Sequence, residues 1–155
     1  YEKVFISTIE ELKAKGVDSG IFGDIDFSAH RQWIENVCSK AGITPYLPLW
    51  GESQERLMEE LITAGFKAVV VAAKASLFGH EILGKTLDRE FLNYLKARKD
   101  ITLCGEAGEY HTLVVDGPIF KKRLEITQSQ IISRGEHHFL EILRVKVIAR
   151  KEGKT

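Results

Sequence analysis

Leu57-Met58-Glu59-Glu60-Leu61-Ile62-Thr63-Ala64-Gly65-Phe66-Lys67-Ala68-Val69-Val70-Val71 is the stretch on which the fold turns. Leu57, Met58, Leu61 and Ile62 recur at helical spacing and give one apolar face. Gly65 follows where a helix needs a residue tolerant of the left-handed conformation. Ala68 to Ala73 is then a short apolar run of the kind a buried strand carries. The same order occurs twice upstream. Thr8 and Glu11 have the spacing of a capping box, Ile9 and Leu12 supply an inner face, Gly16 closes the helix, and Val17 to Ile25 reads as a strand. Ile34, Val37, Cys38 and Ala41 form the next stripe and Gly42 ends it. Pro45 and Pro48 leave Ile43 to Trp50 as an edge-like or irregular extended piece. Three helix–glycine–strand units in succession predict an α/β fold with largely parallel strands.

Downstream the rhythm changes. Lys74 to Lys85 contains Gly79 and Gly84 and reads as a loop with a short helical turn. Asp88 is placed to cap a helix carrying Phe91, Leu92 and Leu95, with Leu87 as a hydrophobic staple on Leu92. Beyond Pro118 the pattern is β: Arg123 to Thr127, a polar turn at Gln128-Ser129-Gln130, then Ile131 to Ser133. Leu143, Val145, Val147 and Ala149 alternate with Arg144, Lys146 and Arg150, which predicts a half-exposed final strand. Lys151 to Thr155 reads as a frayed tail.

Composition excludes several classes of function. By length alone the 155 residues make one domain, able to bury roughly 68–70% of the unfolded surface. Hydrophobic residues are 44% of the chain and prolines number only 3, as in an ordered globular protein. Lys plus Arg equals Asp plus Glu at 22 each, so no charge excess points to nucleic acid, and Lys121-Lys122-Arg123 reads as a solvated strand start. The apolar run at Ala68 to Ala73 is far short of the ~20 residues that span a membrane. Cys38 and Cys104 have neither metal nor redox spacing, which points to a reducing, cytoplasmic setting.

Two stretches concentrate chemistry. In Cys104-Gly105-Glu106-Ala107-Gly108-Glu109-Tyr110-His111-Thr112, two carboxylates, a phenol, an imidazole and a hydroxyl are spaced by glycines ahead of the apolar run Leu113-Val114-Val115. A glycine-framed polar loop on a rigid strand can aim side chains at one target, although a solvated turn has the same composition. In Gly23-Asp24-Ile25-Asp26-Phe27-Ser28-Ala29-His30-Arg31, Ser28 is placed as an N-cap, so His30 and Arg31 fall in a first helical turn where anions are favoured. The plainer alternative makes Asp24 and Asp26 turn-formers and pairs Arg31 with Glu35 at i, i+4. His137 and His138 are adjacent and point to opposite faces of a strand, which is poor metal geometry, and His80 has no partner nearby in sequence. Trp33 and Trp50 read as core or cleft-wall aromatics, and Cys104 as a small buried residue.

Taken together, Gly23-Asp24-Ile25, Ile34-Glu35-Asn36-Val37-Cys38, Pro48-Leu49-Trp50, Gly65-Phe66-Lys67-Ala68, the Gly105 to Thr112 motif and Asp116-Gly117-Pro118-Ile119-Phe120 resemble the diphthine–ammonia ligase family. That family is a branch of the PP-loop ATP pyrophosphatases, and the resemblance runs from about Tyr1 to about Ile126. It implies a Rossmann-like, adenine nucleotide α-hydrolase-like parallel sheet, here without its first strands, followed by a smaller α+β subdomain. Residues 1–52 then fall in the ATP-binding half and residues 53–150 in the substrate-recognition half. The resemblance also implies adenylation of a carboxylate by ATP with Mg²⁺, then displacement of AMP by ammonia. On this basis Glu106, Glu109 and His111 are catalytic candidates. Gly23, Asp24, His30 and Arg31 are nucleotide-binding candidates, and Gly105, Gly108, Tyr110, Thr112 and Trp50 substrate-binding ones. Glu106 and Glu109 suit Mg²⁺, ammonium or the trimethylammonium of diphthine. Tyr110 suits an aromatic wall, and His111 a proton shuttle. No resident protein metal site is implied.

The implied partners are ATP, ammonia or ammonium, and a diphthine-bearing elongation factor or another carboxylate acceptor. Neither nucleic acid nor membrane is among them, and a homodimer is a compatible assembly. The Ser-Gly-Gly-x-Asp-Ser loop of the family is not found in the 155 residues, and the match starts about one third of the way into the family's length, so the chain by itself is expected to be inactive. Phe27, Ala29-His30 and Trp33 stand where members tied to diphthamide synthesis carry Ser, Tyr-Gln and Arg. That leaves room for a different acceptor, or for a non-catalytic binding module derived from the family.

Overall fold

Helix α1 spans Glu2–Lys13 in the computed structural model, which describes residues 1–150. The tail from Lys151 to Thr155 lies outside the described residues. Thr8 does not cap α1 but sits inside it, its hydroxyl donating to the Val4 carbonyl at 2.9 Å. The helix reaches back to Glu2 because its first turn has partners: Tyr1 and Phe5 pack on Trp33 at ring separations of 5.5 and 5.2 Å. At the other end Gly16 takes φ +92° and the Val17 N–H returns to the Leu12 carbonyl at 3.2 Å.

Strand β1, Ser19–Ile21, is shorter than the Val17 to Ile25 expected from sequence. It pairs in parallel with β2, Thr44–Tyr46, with Gly20 opposite Pro45. Proline offers no N–H to a ladder, and Ile21 is left 80% exposed. Between them α2, Ser28–Ala41, buries the stripe read from sequence, Ile34, Val37, Cys38 and Ala41, and Gly42 follows at φ +68°. Its N-cap is Phe27, so Ser28 is the first helical residue rather than the cap. Ile34, Val37, Cys38 and Ile43 form a small core with Phe5, Ile9 and Phe22 against it. These elements make up one compact unit, Tyr1–Ser53; a second begins at Gln54.

The second unit opens with α3, Gln54–Thr63, and β3, Lys67–Lys74. A single 3₁₀ turn at His80–Ile82 and helix α4, Arg89–Lys96, follow, and Asp88 caps α4 by accepting from the Phe91 N–H at 2.8 Å. Strands β4, Tyr110–Asp116, β5, Lys122–Arg134, and β6, His137–Ala149, complete a four-stranded sheet of order β4-β3-β6-β5. Its core gathers Met58, Val70, Ile82, Phe91, Leu95 and Tyr110.

The fold is therefore mixed α/β, with a parallel pair in one unit and an antiparallel sheet in the other. This corrects the expectation of largely parallel strands. Helix–glycine–strand order says nothing about where a chain re-enters a sheet. The excursion between β3 and β4 leaves and returns at the same end, which makes the pair antiparallel. Gln128-Ser129-Gln130 is likewise no turn. It is a stretch of irregular pairing within the continuous β5, between Ile126 and Ser129, where all three polar side chains are exposed. The true reversal is the two-residue link Gly135-Glu136, with Gly135 at φ +57° and Arg134 paired to His137. Strand β6 forms where expected, but its burial does not alternate: Leu143, Val145 and Val147 are 49%, 43% and 62% exposed and Ala149 is exposed too, which corrects the expected inner face. Beyond Phe139 the strand's partner is β5 alone among the described strands.

Candidate functional site

The loop before β4 is closed by one of its own carboxylates. Glu109 is 3% exposed, and it accepts from the Thr102 backbone N–H at 2.5 Å and from the Thr102 hydroxyl at 3.1 Å. Gly108 N–H returns to the Gly105 carbonyl at 2.9 Å, and Gly105 N–H to that of Thr102 at 3.2 Å. Gly105 lies at φ +73°, and a Cβ on it would stand 2.7 Å from the Tyr110 carbonyl oxygen, so conformation and space both require glycine. The loop is tied to α3 by the Cys104 N–H, which donates to Gln54 Oε1 at 2.9 Å, and to β3 by the Lys74 N–H, which donates to the Glu109 carbonyl at 2.9 Å.

Tyr110 is the anchor beneath it. The ring is 3% exposed and meets Phe78 and Phe91 edge-on at 6.3 and 6.0 Å, while its hydroxyl donates to the Leu103 carbonyl. The expectation of a ligand-facing aromatic wall is corrected here: both the ring and the hydroxyl are spent inside the protein. Glu106 and Glu109 also part company, since both oxygens of Glu109 face Thr102 while Glu106 is half-exposed. His111 and Thr112 are exposed, and they lie where β3 carries an extra residue: Val70 pairs with Thr112 and Ala72 with His111, leaving Val71 unmatched. Gly108 is half-exposed with open space beside it. The solvent-accessible set is thus Glu106, Gly108, His111 and Thr112, with His111 and Thr112 on opposite faces of β4, and the holding set is Gly105, Glu109 and Tyr110. An open groove of about 400 Å³ elsewhere in the unit is lined by Val69, Leu83, Val115, Leu124, Ile126 and Leu140, and no residue of the loop lines it.

Burial raises the Tyr110 phenol well above its ordinary value of 10, and the negative charges that Cys104, Glu109 and Glu106 can carry add to the rise. A phenol raised in the folded state favours folding fully below the unfolded value, and that contribution is lost as pH climbs through and beyond about 10. Wild-type chain is therefore expected to lose more stability between pH 8 and pH 11 than Tyr110→Phe. At pH 8 the variant should be less stable by about 0.5–1.5 kcal/mol for the lost hydrogen bond. Urea unfolding at the two pH values measures the difference, and parallel losses would remove the assignment.

In the first unit the second constellation is drawn together around the start of α2. His30 Nδ1 lies 3.2 Å from Asp24 Oδ1, and Phe27 stacks on His30 at 5.5 Å. Arg31 Nε donates to Glu35 at 2.7 Å, and its guanidinium carbon stands 5.1 Å over the Trp50 ring. The i, i+4 pair weighed from sequence is thus present. Gly23 is exposed with nothing near its would-be Cβ. The first turn of α2 holds no acidic residue and no side-chain cap, so it suits an anion, and an arginine on an indole suits a flat ring beside it. These features fit a nucleotide such as ATP, with Asp24 and Glu35 as acidic neighbours of His30 and Arg31. Mg²⁺ fits less well: among the described residues no group of three or more His, Cys, Asp or Glu is placed to hold a metal.

Thr102 and Gln54 are the residues that sequence reading missed. Neither belongs to the motif, and only folding brings them to Glu109 and Cys104. A threonine seven residues before a buried glutamate carries no signal of its own.

Comparison with known proteins places these observations. The family model described as the diphthamide synthase C-terminal domain matches residues 53–148. A diphthine–ammonia ligase of Schizosaccharomyces pombe is 34% identical over 82% of the chain and 21% of its own length. Those of Bos taurus and Homo sapiens are 30% and 31% identical over 90% and 74% of the chain, and over 52% and 44% of their own lengths. The chain spans about half the length, or less, of these curated relatives. With more than half of its residues matched by the family model, the chain belongs to the diphthine–ammonia ligase family.

Proposed function

We propose that the chain is part of an ATP-dependent amide-forming ligase acting on diphthine or a related carboxylate, in a reducing cytoplasmic setting. In this reading an acceptor carboxylate oxygen attacks the α-phosphorus of ATP and pyrophosphate leaves. The ammonia nitrogen then attacks the acyl carbon, AMP leaves, and an amide remains. Since ammonia arrives largely as ammonium, a proton has to be removed before attack, and in this reading His111, exposed near the start of β4, takes it. Glu106 is the carboxylate for ammonium or for the trimethylammonium of the acceptor, and half-exposed Gly108 and exposed Thr112 are further acceptor-binding positions. Glu109 and Tyr110 are positioning residues, which hold the loop through Thr102 and Leu103. In the first unit, read as the last part of a Rossmann-like ATP-binding half, the start of α2 with Arg31 and Trp50 receives the nucleotide.

The observation that carries this reading is the family match across the motif, together with a loop that buries Glu109 and Tyr110 and leaves Glu106, and His111 and Thr112 beyond it, accessible. The test uses the full-length protein that contains this chain, supplied with ATP, ammonium and a diphthine-bearing elongation factor. AMP, pyrophosphate and amide are expected in equal amounts. The 155 residues alone, which contain no Ser-Gly-Gly-x-Asp-Ser loop, are expected to give none. AMP formation by the full-length protein with no ammonium requirement and no amide product would remove the reading.

A further inference from the structure

Three residues that sequence spacing keeps apart meet on the second unit's sheet. Strand pairing sets Ser133 of β5 directly opposite His138 of β6, and Ala73 of β3 pairs with His138 on its other side. The chain leaving β3 turns back in the 3₁₀ segment that starts at His80 and brings that imidazole over the pair. His138 Nδ1 is 3.1 Å from His80 Nε2 and 2.7 Å from Ser133 Oγ, and His80 Nε2 is 3.4 Å from the same oxygen. The two rings stand nearly perpendicular, at 85° with centroids 4.2 Å apart, so they converge through nitrogen atoms rather than stacking.

A triangle of two imidazole nitrogens and one hydroxyl oxygen with edges of this size is one face of a small coordination polyhedron. A zinc-like ion about 2.0–2.1 Å from each nitrogen would see the two at roughly 98°, close to tetrahedral. Imidazole nitrogen selects zinc, nickel and copper over magnesium and calcium. The triangle is exposed, so water or a ligand carboxylate can complete the shell. His137, one residue away, points to the opposite face, where it packs near Phe139 at 6.0 Å. We propose that His80 and His138, with Ser133 at their edge, form a binding site for a borderline divalent cation such as Zn²⁺ or Ni²⁺. The site shares no residue with the Gly105 to Thr112 stretch, from which β3 separates it, since Ala73 pairs with His138 on one side and Tyr110 on the other, and it does not depend on the ligase reading.

Calorimetric titration of Ni²⁺ into the reduced chain at neutral pH tests the site, since nickel favours imidazole and makes the two buried or half-buried thiols weak competitors. One equivalent is expected to bind with a micromolar dissociation constant. His80→Ala and His138→Ala should each weaken it by about tenfold or more, by analogy with the loss of supporting contacts at known metal sites. Ser133→Ala should cost less, and His137→Ala should leave affinity unchanged. In wild-type protein, paramagnetic Ni²⁺ should broaden the imidazole resonances of His80 and His138 before those of His30, His111 and His137, a readout that needs no variant to fold. Wild-type affinity in His80→Ala, or equal broadening of all five imidazoles, would overturn the proposal.

Discussion

Phe91→Ala is expected to lower the stability of the second unit by about 3–5 kcal/mol, the usual range for removing a buried phenylalanine. The ring is 3% exposed and belongs to the cluster that includes Met58, Val70 and Leu95. It also meets Tyr110 edge-on at 6.0 Å and Tyr94 face-on at 5.9 Å, and such aromatic pairs contribute about 0.5–1.5 kcal/mol beyond area burial. Phe78 and Tyr110, fixed by each other and by the hydroxyl bond to Leu103, limit how far a cavity here can close. The same cavity sits under the loop, so its backbone should exchange hydrogen faster in the variant. Urea unfolding with an unchanged slope measures the loss, and hydrogen exchange at Gly105 to Tyr110 reports its local reach. A loss under about 1 kcal/mol would mean that Phe91 is not the support this packing implies.

What sequence could and could not supply follows from the range of each interaction. The stripe Ile34, Val37, Cys38, Ala41 and the cap at Asp88 were legible because helix packing and capping depend on residues three or four apart. The start of α1 was misread because Thr8 and Glu11 form a valid local signal, and distant packing of Tyr1 and Phe5 on Trp33 overrides it. Strand direction was misread for a related reason, since nothing within β3 records the end of the sheet at which β4 returns. The loop motif was legible as chemistry but not as a division of labour. Whether a carboxylate faces a ligand or its own backbone depends on Thr102, and whether a phenol is a wall or an anchor depends on Phe78 and Phe91. The His80–His138 meeting was invisible for the same reason, being made where the 3₁₀ segment returns over a strand 58 residues further on.

Glu106→Gln in the full-length protein is expected to cut amide formation by about 10²–10³-fold, the scale on which removal of one preorganised electrostatic partner acts. The loop geometry makes this variant cleaner than its neighbour. Glu109→Gln replaces one acceptor oxygen with a donor that faces the Thr102 N–H or hydroxyl, so about 1–3 kcal/mol of stability should go with it and any loss of rate would be ambiguous. Glu106 is half-exposed and isosteric with glutamine, so the fold should change by no more than about 0.5–1 kcal/mol. Three readouts on both variants separate the cases: thermal melting, a nucleotide-binding titration and ammonium-dependent pyrophosphate release. Glu106→Gln should melt and bind ATP like wild type, fail in turnover, and recover part of its rate as ammonium is raised, because a lost ammonium site raises KM. Glu109→Gln should melt lower and lose rate with no such recovery. Full turnover by Glu106→Gln would remove Glu106 from the ammonium site, and recovery in Glu109→Gln but not in Glu106→Gln would exchange the roles assigned to the two residues.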